Sequence, residues 1–339
     1  MRRRSKTSRW TQQTPKRISV FLIVTCSMVC FLLGSILFIN KTVFAKDYPE
    51  KNIAYIIAFA IGGKGDLLAR AIVPYVQERL GTTILIENYP GVIKIGLTRL
   101  WKSKPDGYTI GSFSLPSPVV AELTTDAEYR SKEFTHIYAF NASNMGLLGH
   151  SNGPKDMREM LQLGKSRALT GSTGSFGSGT HLASLVMAKG LGIDVRWVHY
   201  NSGGEASAAL AGGHVDFCTV SVSPQVVSLV KAGKLRPLMI VGDERDPAFP
   251  EVPTPKELGY SFKTFPLMEG VAAPKGLPAD RLSRLEKAFS DAAKDPRFKK
   301  WADETKTEIV HFSSEAFRQK VAETYSEVDK FKGELKSQK

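Results

Sequence analysis

Cysteine is almost missing from this sequence, with three in 339 residues. Cys26 and Cys30 fall in the N-terminal stretch, so Cys218 stands alone in the remainder of the chain and cannot form an internal disulfide. Its neighbours, Val215-Asp216-Phe217 before it and Thr219-Val220 after it, read as a buried strand, which predicts a core thiol rather than a nucleophile. Short-period repeats and low-complexity segments are also missing, which excludes solenoid and linker-type architectures.

Acidic residues are absent from the first 45 positions. Arg2, Arg3, Arg4, Lys6, Arg9, Lys16 and Arg17 form a basic segment there, followed by an apolar run over 18–39 and then Val43-Phe44-Ala45. That is the layout of an export signal with small residues three and one before the cut, so processing at Lys46 is expected and leaves 294 residues. The alternative is an uncleaved anchor, because the apolar run approaches the ~20 residues of a spanning helix. Either arrangement puts the remainder outside the cytoplasm, in the periplasm. Neither Val29-Cys30 nor Thr25-Cys26 has a lipobox context, and Arg2 to Arg4 lie too far from the apolar run for a twin-arginine signal.

Concentrated basic charge is lacking as well. Eight of the 46 lysines and arginines, and none of the 33 acidic residues, lie in the first 45 positions, so the remainder carries only +5. Its basic residues alternate with Asp and Glu rather than forming a face or an arm, which argues against a nucleic-acid partner. At roughly 100–200 residues per domain, this length predicts two domains.

What is present is an alternation of strand and helix patterns. An apolar run over 53–59 is followed by a glycine-bearing loop, 61–66, and a helical pattern to Leu80, stopped by Gly81, with the next strand over 83–87. Leu68, Ala71, Ile72, Tyr75, Val76 and Leu80 fall at helical spacing, so this is a βαβ unit on a parallel sheet. Pro74 inside the helix is expected to kink it. The order recurs: strand 167–170, loop 171–179, helix 180–189 and strand 195–198, then helix 205–211, strand 214–220, helix 224–232 and strand 235–241. The fold class is therefore α/β.

Two glycine loops, each between a strand and a helix start, suit anion binding. Free N–H groups at a helix N-terminus attract carboxylate or phosphate, and glycine admits a ligand close to the backbone. A tight turn that simply needs glycine is the competing explanation. Gly62-Gly63-Lys64-Gly65 lacks Walker spacing, and Gly174, Gly177 and Gly179 do not make a dinucleotide fingerprint, so no nucleotide cofactor is expected. Ser178 is flanked by Phe176 and Thr180 where a nucleophile elbow needs glycine. His181 beside it reads as a loop or ligand hydrogen-bonder rather than a base, so no catalytic residue is assigned. The remaining histidines lack metal-ligand spacing, and no metal is expected. Asp66 suits a helix cap, or a contact to a ligand hydroxyl, water or ammonium.

An ordered set of motifs from Tyr48 onward resembles the substrate-binding proteins of tripartite tricarboxylate transporters, also called Bug receptors. It comprises Phe59-Ala60-Ile61-Gly62-Gly63 with Asp66 and Ala69-Arg70, Glu87-Asn88-Tyr89-Pro90-Gly91, and Lys104-Pro105-Asp106-Gly107-Tyr108. It continues with Gly177-Ser178-Gly179-Thr180-His181, Val198-His199-Tyr200-Asn201-Ser202-Gly203, Gly212-Gly213-His214-Val215-Asp216, and Ala273-Pro274-Lys275-Gly276. The resemblance implies a periplasmic-binding-protein-like clamshell of two α/β domains, 46–146 with 268–339 and 147–267. It further implies a carboxylate ligand held by the two glycine loops.

Carried over by position, Ile61, Gly62 and Asp66 would supply contacts from one lobe, and Ser178, Gly179, Thr180 and His181 from the other. Tyr200, Asn201, Ser202 and Gly203 would line the cleft. Two departures stand out: Val92, Ile93 and Lys94 replace a glycine-rich stretch, and Lys64 brings a cation into the first loop, to meet a second carboxylate or to point to solvent. The implied partners are a small organic acid and integral membrane transporter subunits, with the receptor acting as a monomer and not as an enzyme. A membrane-anchored sensor and a secreted enzyme acting on a small carboxylate are the alternatives.

Overall fold

The computed structural model describes residues 48–90 and 93–333. The expectations for the export signal, and for Gly91 and Val92, lie outside them. Among the described residues no helix is long and apolar enough to cross a membrane.

Two sheets organise the chain. The first has six strands in the order β11-β4-β10-β3-β1-β2: β1 (Ile53–Ile57), β2 (Ile84–Asn88), β3 (Thr109–Leu115), β4 (Thr135–Ser143), β10 (Leu267–Ala273) and β11 (Ile309–Phe312). The second has five in the order β7-β6-β8-β5-β9: β5 (Met145–His150), β6 (Leu169–Thr173), β7 (Val195–His199), β8 (Phe217–Ser221) and β9 (Leu235–Val241). The chain passes from one sheet to the other at Asn144 and returns through 242–266. In each sheet the βαβ segments pair in parallel, β1 with β2 and β3, and β6 with β7 and β8. The crossing strands β4, β5 and β10 add antiparallel pairs.

Helix α1 (Lys64–Leu80) follows β1 and ends at Gly81, whose left-handed φ of 69° lets its amide reach the Gln77 carbonyl. The helix runs on through Pro74 and buries Leu68, Ala69, Ile72, Val73, Val76 and Leu80; of the residues read at helical spacing, Leu68, Ile72, Val76 and Leu80 are buried, whereas Ala71 and Tyr75 are half-buried and Ala69 and Val73 take their place in the core. Helices α2 (Ile93–Trp101) and α3 (Ser117–Thr124) complete this first half, and α4 (Met157–Ser166) opens the second.

Serine then caps three helices in succession. Ser178 Oγ accepts from the His181 amide at the start of α5 (Gly179–Leu191), Ser202 from Glu205 at α6 (Gly203–Ala211), and Ser223 from Val226 at α7 (Pro224–Lys231). At α6 the Glu205 carboxylate accepts in turn from the Asn201 amide at 3.2 Å, which ties down the chain just before the cap. Helices α8 (Ala279–Ala293), α9 (Pro296–Thr305) and α10 (Ser314–Asp329) pack the first sheet. There Phe113 and Phe134 meet edge to face at 5.3 Å, and Phe317 joins Phe113 at 6.2 Å. Cys218 is fully buried on β8, and burial pushes its thiol far above the ordinary range.

Candidate functional site

In parallel α/β sheets the strands release their chains at their C-terminal ends, and the following helices begin there. Five such helix starts surround one cavity of about 90 Å³. Residues Gly63, Lys64 and Gly65 come from α1, Ser117 from α3, Ser178 and Thr180 from α5, Ser202, Gly203 and Gly204 from α6, and Ser223 and Gln225 from α7. Each helix start carries amides with no partner inside the helix and the positive end of its dipole. The volume suits several waters or one small molecule.

The first loop is held open by Asp66. Its carboxylate accepts from the Gly62 amide at 2.9 Å, from Arg70 Nε at 2.9 Å and from Asn88 Nδ2 at 3.0 Å. Burial raises its pKa, but the bonds from Arg70, Gly62 and Asn88 outweigh that and hold it below the usual carboxylate value. Gly62 turns at φ 79°, a conformation that favours glycine. Gly62 and Asp66 thus shape the loop from behind the cavity wall, and Ile61 is 73% exposed.

In the second loop Ser178 and Thr180 face the cavity with their hydroxyls 2.9 Å apart. The Gly179 amide donates to Ser117 Oγ at 3.0 Å. His181 turns away: its Nδ1 accepts from the Gly177 amide at 3.2 Å, and its ring packs at 4.3 Å on that of His199. Burial, with the His199 charge second, lowers its pKa to about 3, so it is neutral at ordinary pH. Its ring makes no bond to Ser178 Oγ, whose partners are the His181 amide and Thr180. Ser202 and Gly203 line the cavity, whereas Tyr200 and Asn201 lie outside its wall, Asn201 being engaged with Glu205.

Lys64 does not extend into solvent. It is half-buried, and its ammonium donates to Ser143 Oγ at 2.5 Å, which in turn lies 3.1 Å from Ser221 Oγ. Burial lowers its pKa to about 8, against the opposing pull of Glu269, Glu308 and Asp246. Several lining residues escaped the sequence reading: Ser114, Ser221, Ser223, Gln225 and, above all, Glu269. Ser112 and Ser114 alternate along β3 and bond to Glu269, which enters from β10. The Ser-x-Ser spacing at 112–114, and a single acid inside the apolar segment 267–273, were the available signals. Among the described residues no group of three or more His, Cys, Asp or Glu is placed to hold a metal ion.

The tripartite tricarboxylate transporter family receptors match this chain over residues 68–334. The chain belongs to this family. The UPF0065 protein of the gbd 5' region of Cupriavidus necator is 30% identical over 288 residues, which cover 83% of this chain and 86% of that protein. Among solved structures, MatC from Rhodopseudomonas palustris with bound malate superposes with a TM-score of 0.79 at 27% identity, covering 84% of this chain and all of MatC. The periplasmic binding protein BugD superposes with a TM-score of 0.78 at 24% identity, over 84% of this chain and 99% of BugD, and shares the fold. As a tripartite tricarboxylate transporter receptor, the chain has the two-lobed periplasmic-binding-protein fold. It is a solute-binding protein rather than an enzyme.

Proposed function

We propose that this receptor captures a small organic acid in the periplasm and delivers it to the integral membrane subunits of a tripartite tricarboxylate-type transporter. The observation that carries the reading is the convergence of five helix N-termini, three of them serine-capped, on one small cavity. A carboxylate placed there exchanges its water for oriented amides and hydroxyls. Each helix end contributes about 0.3–1 kcal/mol, and up to ~2 when partly buried. Several ends acting together offset the desolvation of one carboxylate without an arginine. MatC, of similar sequence and fold, holds malate.

Binding is reversible. The lobes close over the acid, and only the loaded, closed form presents its rim to the transporter. The N-terminal segment directs export and is removed at Lys46, leaving a free monomeric shuttle. The test is mass spectrometry of small molecules released by denaturing the purified chain. A carboxylic acid at about one per chain is expected, and a Ser178→Val, Thr180→Val variant should release far less. Recovery of no acid from either protein, together with no binding of added acids, contradicts the reading.

A further inference from the structure

Binding a carboxylate at helix N-termini requires no buried acid, yet Glu269 lines this cavity. It is 2% exposed and sits opposite Ser114 in the β3–β10 ladder. Each of its oxygens accepts from one serine hydroxyl, Oε1 from Ser112 and Oε2 from Ser114. A protonated carboxyl group adds one O–H donor to its acceptor positions. Because both serines already donate to Glu269, that O–H is left for a third partner on the cavity side.

The surroundings favour the neutral acid. Among the described residues no cation makes an ion pair with Glu269. On α1, Lys64 acts through its field and the helix end adds its positive dipole, but the ammonium is committed to Ser143 and also feels Glu308 and Asp246. On β1, the Tyr55 phenol is fully buried and carries no charge, its pKa raised by burial first and by Glu269 second. Strand β4 places the uncharged Asn141 opposite Glu269, and α3, α5, α6 and α7 line the cavity with serine, threonine, glycine and Gln225. Burial is the largest influence on Glu269, and it pushes the pKa up against the serine hydroxyls and Lys64.

A bound anion acts in the same direction. A Cβ on Gly65 would lie 3.5 Å from Glu269 Oε2, so this acid borders the α1 start that receives the captured carboxylate. Two carboxyl groups in so small a site do not both ionise, and the pair keeps one proton. The helix amides hold the ligand as the anion, which leaves the proton on Glu269. We propose that Glu269 is a ligand-binding residue whose carboxylic acid donates a hydrogen bond to the captured carboxylate, so that the two carboxyl groups share one proton. This rests on the carboxylate-capture reading and adds a specificity-determining residue to it. An O–H···O⁻ bond is about twice as strong as a neutral one, so Glu269 favours an anion that its ionised form would repel.

The experiment is calorimetric titration of the purified full-length receptor and two variants with succinate, glutarate, butyrate and pentanoate at about pH 6, where Lys64 holds its proton. Glu269→Gln keeps a donor, because its amide N–H replaces the acid O–H while its carbonyl still accepts from a serine. Its affinity for the tightest of the four acids is expected to stay within about threefold of the wild type. Glu269→Met keeps the bulk but loses the donor, and its affinity is expected to fall about tenfold or more. Equal affinity in the two variants, or tighter binding than the wild type in either, overturns the inference and leaves carboxylate capture intact. A crystal structure of the wild-type complex decides the matter even if the variants fold poorly. The expected contact is a Glu269 oxygen about 2.5–2.7 Å from a ligand carboxylate oxygen, and a separation beyond hydrogen-bond reach overturns the inference. Binding of none of the four acids by the wild type overturns the capture reading, and this inference with it.

Discussion

Gly179 lies against the ring of Pro116 so closely that a Cβ on it would meet the ring Cδ at 2.5 Å, while its amide bonds to Ser117 Oγ at 3.0 Å. This contact joins the start of α5, in the half of the chain built on the second sheet, to the start of α3, on the first. It therefore sets how closely the two sides of the cavity approach.

Gly179→Ala is expected to push these helix starts apart. Overpacking of this kind costs about 1–3 kcal/mol, but part of the displacement can be taken up by separation of the lobes. Ligand affinity should accordingly fall more than stability does. Urea denaturation and calorimetric titration of the same variant check this, and a loss confined to stability with unchanged affinity would contradict it.

Asp66 acts on the cavity at one remove, by fixing Gly62 and the turn before α1. Asp66→Asn retains the shape but weakens the bonds from Arg70 and from the Gly62 amide, at a cost of about 1–3 kcal/mol for a buried polar group left imperfectly paired. Because the native pKa is held below its unfolded value, the carboxylate stabilises the fold above about pH 4, and this contribution disappears as pH falls through the native pKa. The variant should lose this acid-limb dependence. Urea midpoints at about pH 7 and about pH 2.5, on either side of that window, measure it, and equal shifts at both would count against the loop-fixing role.

His181 gives the fold a second acid sensitivity. It is fully buried, and among the described residues its Nε2 has no hydrogen-bond partner. With a pKa of about 3 in the native state against about 6.5 unfolded, the unfolded chain binds the extra proton first. Stability is therefore lost progressively as pH falls from about 6.5 toward 3, at up to roughly 1.4 kcal/mol per pH unit from this residue. His136, lowered to about 4 by burial, adds to the same limb. His181→Gln should flatten the dependence between pH 6.5 and 5, and parallel wild-type and variant curves would refute the assignment.

Much of the fold was legible because its information is local. The βαβ alternation, the stop at Gly81 and the glycine loops at the helix starts each lie within a few residues of chain. The stretch over 135–150 was not legible, because two consecutive strands buried on both faces show no alternating period, and Asn141, Ser143 and Asn144 interrupt their apolar residues where the chain changes sheets. The contact of Glu269 with β3 was hidden for a different reason. Its partners Ser112 and Ser114 are 157 and 155 residues away, and only the antiparallel insertion of β10 beside β3 brings them together. Lys64 was ambiguous because most lysines are solvated, and its burial depends on Ser143 at the crossing between sheets.

Lys64 also makes ligand binding pH-sensitive on the alkaline side. Its ammonium loses its proton near pH 8. An anion bound beside it favours the charged form, so affinity should fall as pH rises above about 8, by up to about tenfold per unit. Lys64→Met should bind more weakly at pH 7 and show little change between pH 7 and 9.5. A variant as pH-dependent as the wild type would move the effect to another group.

The central claim is that a carboxylate is captured where the five helix starts meet. The most direct measurement is a crystal structure of the receptor grown with the tightest-binding acid found by titration. The account predicts a ligand carboxylate within hydrogen-bond distance of the 63–65 and 178–180 backbone or hydroxyls, enclosed between the two sheets. A saturating acid bound elsewhere, with this cavity holding only water, would contradict it.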